Sequence, residues 1–128
     1  MSLKNVAIAF ILFLILIAFM ITSNNKIQSF LKEIIETCEN LEELINDESW
    51  ETAYNVANKF HKKIDKKTSE MGLYLNHQQV DDITHELYGL TQYIKEEEKA
   101  DSLAGVHSIK HSAKVVRNLQ KFSIANIF

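Results

Sequence analysis

Histidine supplies the only spacing in this 128-residue chain that suggests chemistry. His77, Asp81 and His85 fall at i, i+4 and i+8, and His107 and His111 at i and i+4. On a helix such intervals align side chains along one face, where imidazole and carboxylate can hold a divalent metal. The apolar stripe Val80, Ile83, Leu87, Leu90 and Ile94 sets the limit on that reading. It puts His77 at the flank of a core and turns His85 away from it, so the row drifts into solvent and is expected to be ordinary polar surface. There is no HExxH and no repeated Glu-x-x-His pair of the kind a di-iron bundle needs. Asp81, Asp82 and Glu86 cluster without an apolar pocket to raise a carboxyl pKa, which speaks against paired-carboxylate hydrolysis.

Cys38, the single cysteine, sits between Ile34 and Leu41 in an apolar seam, where a thiol packs as a small hydrophobe. It excludes an internal disulfide framework and a Cys-rich zinc module, leaving an intermolecular disulfide as the alternative to a buried free thiol. No Gly-rich phosphate loop, GxSxG elbow or Cys-His nucleophile pattern occurs. The expectation is therefore no catalytic residue, no metal ligand and no cofactor.

The elements that would carry these residues follow from composition and periodicity. Proline is absent, glycine occurs three times, and 46% of residues are hydrophobic, which favours helices joined by polar links over the turn-rich sandwiches and barrels. The net charge of −3 is too small to suggest nucleic-acid binding by bulk electrostatics.

Val6 to Ile21 is an unbroken run of 16 apolar residues, and Asn5 to Asn25 contains no charge. At about 1.5 Å per residue the run and its flanks cover about 30 Å, the thickness of a bilayer core. Lys4 and the amino terminus would serve either a cleaved signal or a retained anchor. The length of the run and the poor small-residue cleavage sites favour an anchor over residues 1–25 with the membrane at 5–23. The expected topology is single-pass, with a cytoplasmic amino terminus and residues 26–128 as an extracytoplasmic helical domain.

Beyond the anchor, apolar residues recur at alternating intervals of three and four. Ile27, Leu31, Ile34, Cys38, Leu41 and Ile45 mark one helix; Trp50, Ala53, Ala57, Phe60 and Ile64 a second; Val80 to Ile94 a third; Val106, Ile109, Ala113, Val116 and Leu119 a fourth. Asp47, Asn76 with Gln79, and Asp101 or Ser102 are candidate N-caps. The predicted fold is all-α, a transmembrane helix followed by an antiparallel bundle of about four amphipathic helices, with Trp50 anchoring the start of the second.

Charge is segregated along this domain: −6 over residues 26–51, −2 over 52–101 and +4 over 102–128. An acidic first helix and a basic last one attract if they are neighbours, though exposed pairs contribute only about 0–1 kcal/mol each. Lys110, Lys114, Arg117 and Lys121 recur at intervals of 4, 3 and 4, which predicts a basic face opposite the seam. Such a face is either solvated or suited to anionic lipid or polymer.

Several features then coincide: the amino-terminal anchor, Asn46-Asp47-Glu48-Ser49-Trp50-Glu51-Thr52-Ala53, His77-Gln78-Gln79-Val80-Asp81-Asp82-Ile83, and the terminal Asn126-Ile127-Phe128. Together they resemble the family catalogued as domain of unknown function 4363, small membrane-anchored proteins of clostridia and related spore-forming bacteria. The resemblance covers essentially the whole chain and implies placement and fold without catalytic residues. Many members carry a second tryptophan where this chain has Phe60 or nearby polar residues. Asn126, Ile127 and Phe128 are expected to dock on the bundle or the membrane-proximal helix, since a free apolar terminus is a liability.

The functional expectation is a non-enzymatic, membrane-anchored interaction or scaffold protein of the bacterial envelope. Its partner is a protein rather than nucleic acid, and homo-oligomerisation is left open. The alternative is a ligand or metal sensor using the His77/Asp81/His85 face, with a helical enzyme third.

Overall fold

The computed structural model describes residues 2–71 and 77–127, apart from the side chains of Met71, His77, Gln79, Val80, Ser123, Ile124 and Ile127. Four helices make up the described chain: α1 (Leu3–Asn46), α2 (Trp50–Met71), α3 (His77–Lys95) and α4 (Lys99–Ile127). The apolar segment and the first amphipathic helix are one element. Ser23, Asn24 and Asn25 form no break, and α1 runs 44 residues, about 66 Å of continuous helix. Ser2 caps its start, the hydroxyl accepting from the Asn5 N–H at 3.3 Å.

Most of the apolar half of α1 is exposed, with Ile17 and Met20 half-buried. Leu3, Val6, Ile8, Phe10 to Leu16, Phe19 and Ile21 are all exposed, the arrangement expected of a helix whose solvent is lipid. From Ile27 onward the same helix becomes one wall of the bundle. The helices pack in the cyclic order α1, α2, α3, α4 and back to α1, an up-down-up-down arrangement enforced by short links.

The core holds the residues that the three-four spacing marked. Ile34, Cys38, Leu41 and Ile45 from α1, Ala53 and Ala57 from α2, Leu87 and Leu90 from α3, and Val106, Ile109 and Ala113 from α4 are fully buried. Phe30 and Ile35 join them, widening the α1 seam because two neighbouring helices cover it. Gly105 permits close approach of α4 to α3: a Cβ there would lie 3.2 Å from Leu90 Cδ1. One expectation fails at the end of the seam. Leu119 is 50% exposed, because Ser108 bonds Glu86, a register that carries α4 past the described start of α3 near residue 117.

The links correct the cap assignments. Asp47 is the C-cap of α1, and Ser49 takes the N-cap position of α2, its carbonyl accepting from the Ala53 N–H at 2.8 Å. Asp101 and Ser102 lie inside the first turn of α4, where Ser102 N–H donates to the Glu98 carbonyl. The Asn76/Gln79 capping box falls outside the described residues.

The two described links share one geometry. Glu48 N–H donates to Ile45 O and Ser49 N–H to Leu44 O; Glu97 N–H donates to Ile94 O and Glu98 N–H to Tyr93 O. These are Schellman closures, and the C′ residue of each is a left-handed glutamate, Glu48 at φ 58° and Glu97 at φ 57°. The protein thus contains two helical hairpins of matching construction, with Leu41, Ile45 and Ala57 corresponding to Leu90, Ile94 and Val106.

Candidate functional site

The histidine row of α3 is described only in part. Asp81 and His85 are exposed, and the His77 side chain lies outside the described residues. Among the described residues no three His, Cys, Asp or Glu side chains converge in a way that could hold a metal. His107 instead turns toward α1, its Nε2 lying 3.5 Å from Glu42 Oε1.

That contact belongs to a ladder along α1. The acidic first helix and the basic last helix are neighbours, and Lys110 reaches Glu39 at 3.5 Å. Lys110 is consequently only 21% exposed, and Arg117 is half-buried. The basic row therefore flanks α1 rather than forming a face opposite the seam, and only Lys114 and Lys121 of the four point outward. Attraction to the Glu39 carboxylate accounts for the position of Lys110. At the lower end, the Gln28 side-chain amide donates to the Arg117 carbonyl at 3.2 Å. The Arg117 Nε is buried and has no partner among the described residues.

On the other flank of α1, Glu33 accepts from Lys63 and Lys67 of α2, the latter at 2.8 Å. Lys67 Nζ also lies 5.5 Å from the centre of the Phe30 ring, a cation–π distance. Burial works to raise the Glu33 carboxyl, but the hydrogen bonds and charges of the two lysines outweigh it and hold the pKa below its ordinary 4.5. A lowered folded value means that the stability Glu33 contributes is fully present above about pH 4.5 and is lost as pH falls through the folded pKa. Glu33→Gln is expected to flatten this part of the acid limb in urea midpoints measured against pH. An unchanged limb would show that the pairs are not populated.

Cys38 is fully buried and free. Desolvation, opposed only partly by the charge of Lys110, pushes its thiol up to about 12. Both properties suppress thiolate chemistry. The native protein should therefore resist maleimide modification at pH 7.5 and react fully once unfolded in guanidinium; rapid labelling of the folded chain would contradict the packing.

Trp50 is half-buried against the core at the end of the bundle far from the apolar half of α1. It shares a shallow cleft of about 230 Å³ with Tyr54, Ile94 and Lys95. At the opposite end, a cleft of about 380 Å³ is lined by Thr22, Asn25, Lys26, Ser29, Phe30 and Lys67, where the apolar half of α1 meets the bundle. The chain's final residues continue α4 as helix to Ile127, with Asn126 exposed. The Ile127 side chain and Phe128 lie outside the described residues. The chemistry on display is therefore that of surfaces: paired charges along α1, and an apolar-to-basic boundary at the foot of the bundle.

A family model described as Domain of unknown function (DUF4363) matches residues 21–127. The match begins at the last residue of the apolar run and takes in the whole bundle. No curated protein and no solved structure matches the chain.

Proposed function

This chain belongs to the DUF4363 family, and we propose that it is a single-pass, non-enzymatic interaction or scaffold protein of the bacterial cell envelope. In this reading α1 fixes the bundle to the membrane, with the amino terminus in the cytoplasm and the bundle outside. The observation that carries it is the continuity of α1 through residues 3–46, exposed and apolar in one half and core-forming in the other. A helix long and apolar enough to cross a membrane thereby becomes a structural member of the bundle. Such a joint transmits position, holding the bundle at a set height and angle above the bilayer, which suits presentation of a surface to a partner. The exposed histidines and the shallow clefts lend no corresponding support to a sensor.

The test uses the full-length protein in native membranes. It should resist alkaline carbonate extraction, its bundle should be digested by protease added outside intact cells, and crosslinking through exposed lysines such as Lys95 and Lys114 should recover one stoichiometric envelope protein. Release by carbonate, or protection of the bundle from outside protease, would overturn the placement. Co-purification of a metal or small molecule instead of a protein would overturn the scaffold role.

A further inference from the structure

Among the described residues outside the apolar half of α1, five large hydrophobic side chains are exposed: Tyr88, Tyr93, Val115, Leu119 and Phe122. The last three lie at i, i+4 and i+7 of α4 and share one side of that helix. Their height above the membrane is fixed by register against α1. Lys99 meets Asn46, His107 meets Glu42, Lys110 meets Glu39, and Arg117 meets Gln28, so α4 descends as α1 ascends. Five residues beyond Arg117, Phe122 lies about 7.5 Å lower, level with Ser23. Ile127, about 15 Å lower, is level with Ala18, inside the apolar run.

The exposure pattern of α1 agrees with this register. Within its apolar half Ile17 and Met20 are half-buried while their neighbours are exposed, and Ser23 is buried. These intervals of three trace one side of α1, the side along which the end of α4 must run. The helix thus brings its free side to the depth at which α1 passes from apolar to polar. Lys121 and Lys26 are exposed at the same level, and α4 carries no acid after Asp101. The acidic part of α1 begins only at Glu33, about 7.5 Å above Gln28, and that first carboxylate is held by Lys63 and Lys67.

We propose that the last turns of α4 make a second membrane contact, with Leu119 and Phe122 seated at the acyl-headgroup boundary of the bilayer that α1 spans and Lys121 facing lipid phosphates. Apolar side chains flanked by lysine on one helix are the chemistry of interfacial seating. A second copy of the chain is a poor occupant. Three side chains exposed to 42, 50 and 64% make a small patch against the roughly 800 Å² per partner of a stable interface. The contact rests on α1 being the anchor, and it would fix the rotation of the bundle about the α1 axis as well as its height.

The experiment places an environment-sensitive fluorophore by maleimide at Phe122→Cys, and separately at Leu119→Cys, in the full chain, with buried Cys38 left unmodified. Phe13→Cys marks the membrane interior and Lys95→Cys the far end of the bundle. Each is reconstituted in vesicles of mixed phosphatidylcholine and phosphatidylglycerol carrying nitroxides on the headgroup, high on the acyl chain or deep in it. The label at residue 122 should be quenched about twofold or more beyond that at residue 95, most strongly by headgroup and shallow nitroxides, and residue 119 should follow it. If the label at residue 13 is quenched and those at 119 and 122 match residue 95, the anchor stands and the second contact is wrong. A blue-shifted but unquenched label at residue 122 also overturns it, since protein then covers the site. If residue 13 is not quenched, the anchor itself fails and the contact falls with it.

Discussion

Alanine at Leu41 is expected to destabilise the bundle by about 3 kcal/mol, with a fall of about 15 °C in melting temperature for a domain near 100 residues. Leu41 is fully buried in the α1 wall, between Cys38 and Ile45 and opposite the α4 seam. Its removal leaves a void that rigid neighbours on a continuous helix are poorly placed to fill. Leu90→Ala, at the corresponding position of the second hairpin and in contact range of Gly105, should cost a similar amount. Leu119→Ala should cost less than about 0.5 kcal/mol in detergent, because half of that side chain is already exposed. The three variants, compared by denaturant titration in one detergent with far-UV circular dichroism, form an internal scale. A loss below about 1 kcal/mol at Leu41 would mean that the bundle is loosely packed.

The core was legible in the sequence because burial on one side of a helix leaves a periodic trace. Ile34, Leu41, Ile64, Leu87 and Ile109 are each 0 or 1% exposed, at positions that the alternation of three and four had marked. The trace records only that a side chain is apolar, and Leu119 continues the stripe in α4 although α3 no longer lies beside it. Lys110 shows the converse limit. Its spacing with Lys114 and Lys121 describes a row on one helix, but whether that row faces water or a carboxylate depends on which helix lies alongside. The complementary charge of residues 26–51 and 102–128 was visible beforehand; their adjacency is a property of the packed ring. The candidate site was less legible still, since the foot of the bundle is composed by register between α1 and α4, which sequence spacing on either helix alone does not encode.

The merging of the apolar segment with the first amphipathic helix changes the mechanical reading of the chain. With no proline between residues 2 and 46, and with intrahelical bonding continuous through Ser23 to Asn25, the bundle is fixed to the end of a stiff rod. Glu33, Glu39 and Glu42, spread over about two and a half turns, then tie α2 and α4 to that rod through Lys63, Lys67, Lys110 and His107. Pairs of this kind, with one partner or both still partly exposed, add modestly to stability. Their arrangement on both flanks of α1 favours α2 and α4 as its neighbours, since an order with α4 diagonal to α1 would set the basic end of α4 away from the acidic helix.

Glycine at both C′ positions, Glu48→Gly with Glu97→Gly, is expected to raise stability by about 2 kcal/mol in total. A helix closing in a Schellman motif asks its C′ residue for a positive φ. Any side chain there brings Cβ toward the following carbonyl at a cost of about 1 kcal/mol or more per site. Glu48 and Glu97 adopt φ 58° and 57° because the closures are fixed by what surrounds them: Ile45 and Ile94 buried just before, and the backbone bonds from Ser49 to Leu44 and from Glu98 to Tyr93 just after. The glutamates escaped notice in the sequence for the same reason, since the usual signal of such a cap is the glycine that is missing here. Glu97→Gly should give the cleaner gain, because Glu48 also lies 3.6 Å from Lys99 and its loss sets aside that exposed pair. The two gains should fall somewhat short of adding, because Lys99, two residues beyond Glu97, contacts both Glu48 and the Asn46 carbonyl. Alanine in place of glycine keeps the Cβ and should give no comparable gain, which separates relief of backbone strain from removal of negative charge. Equal stabilisation by alanine and glycine, measured as urea midpoints in the same detergent, would assign the effect to charge and refute the left-handed geometry as its source.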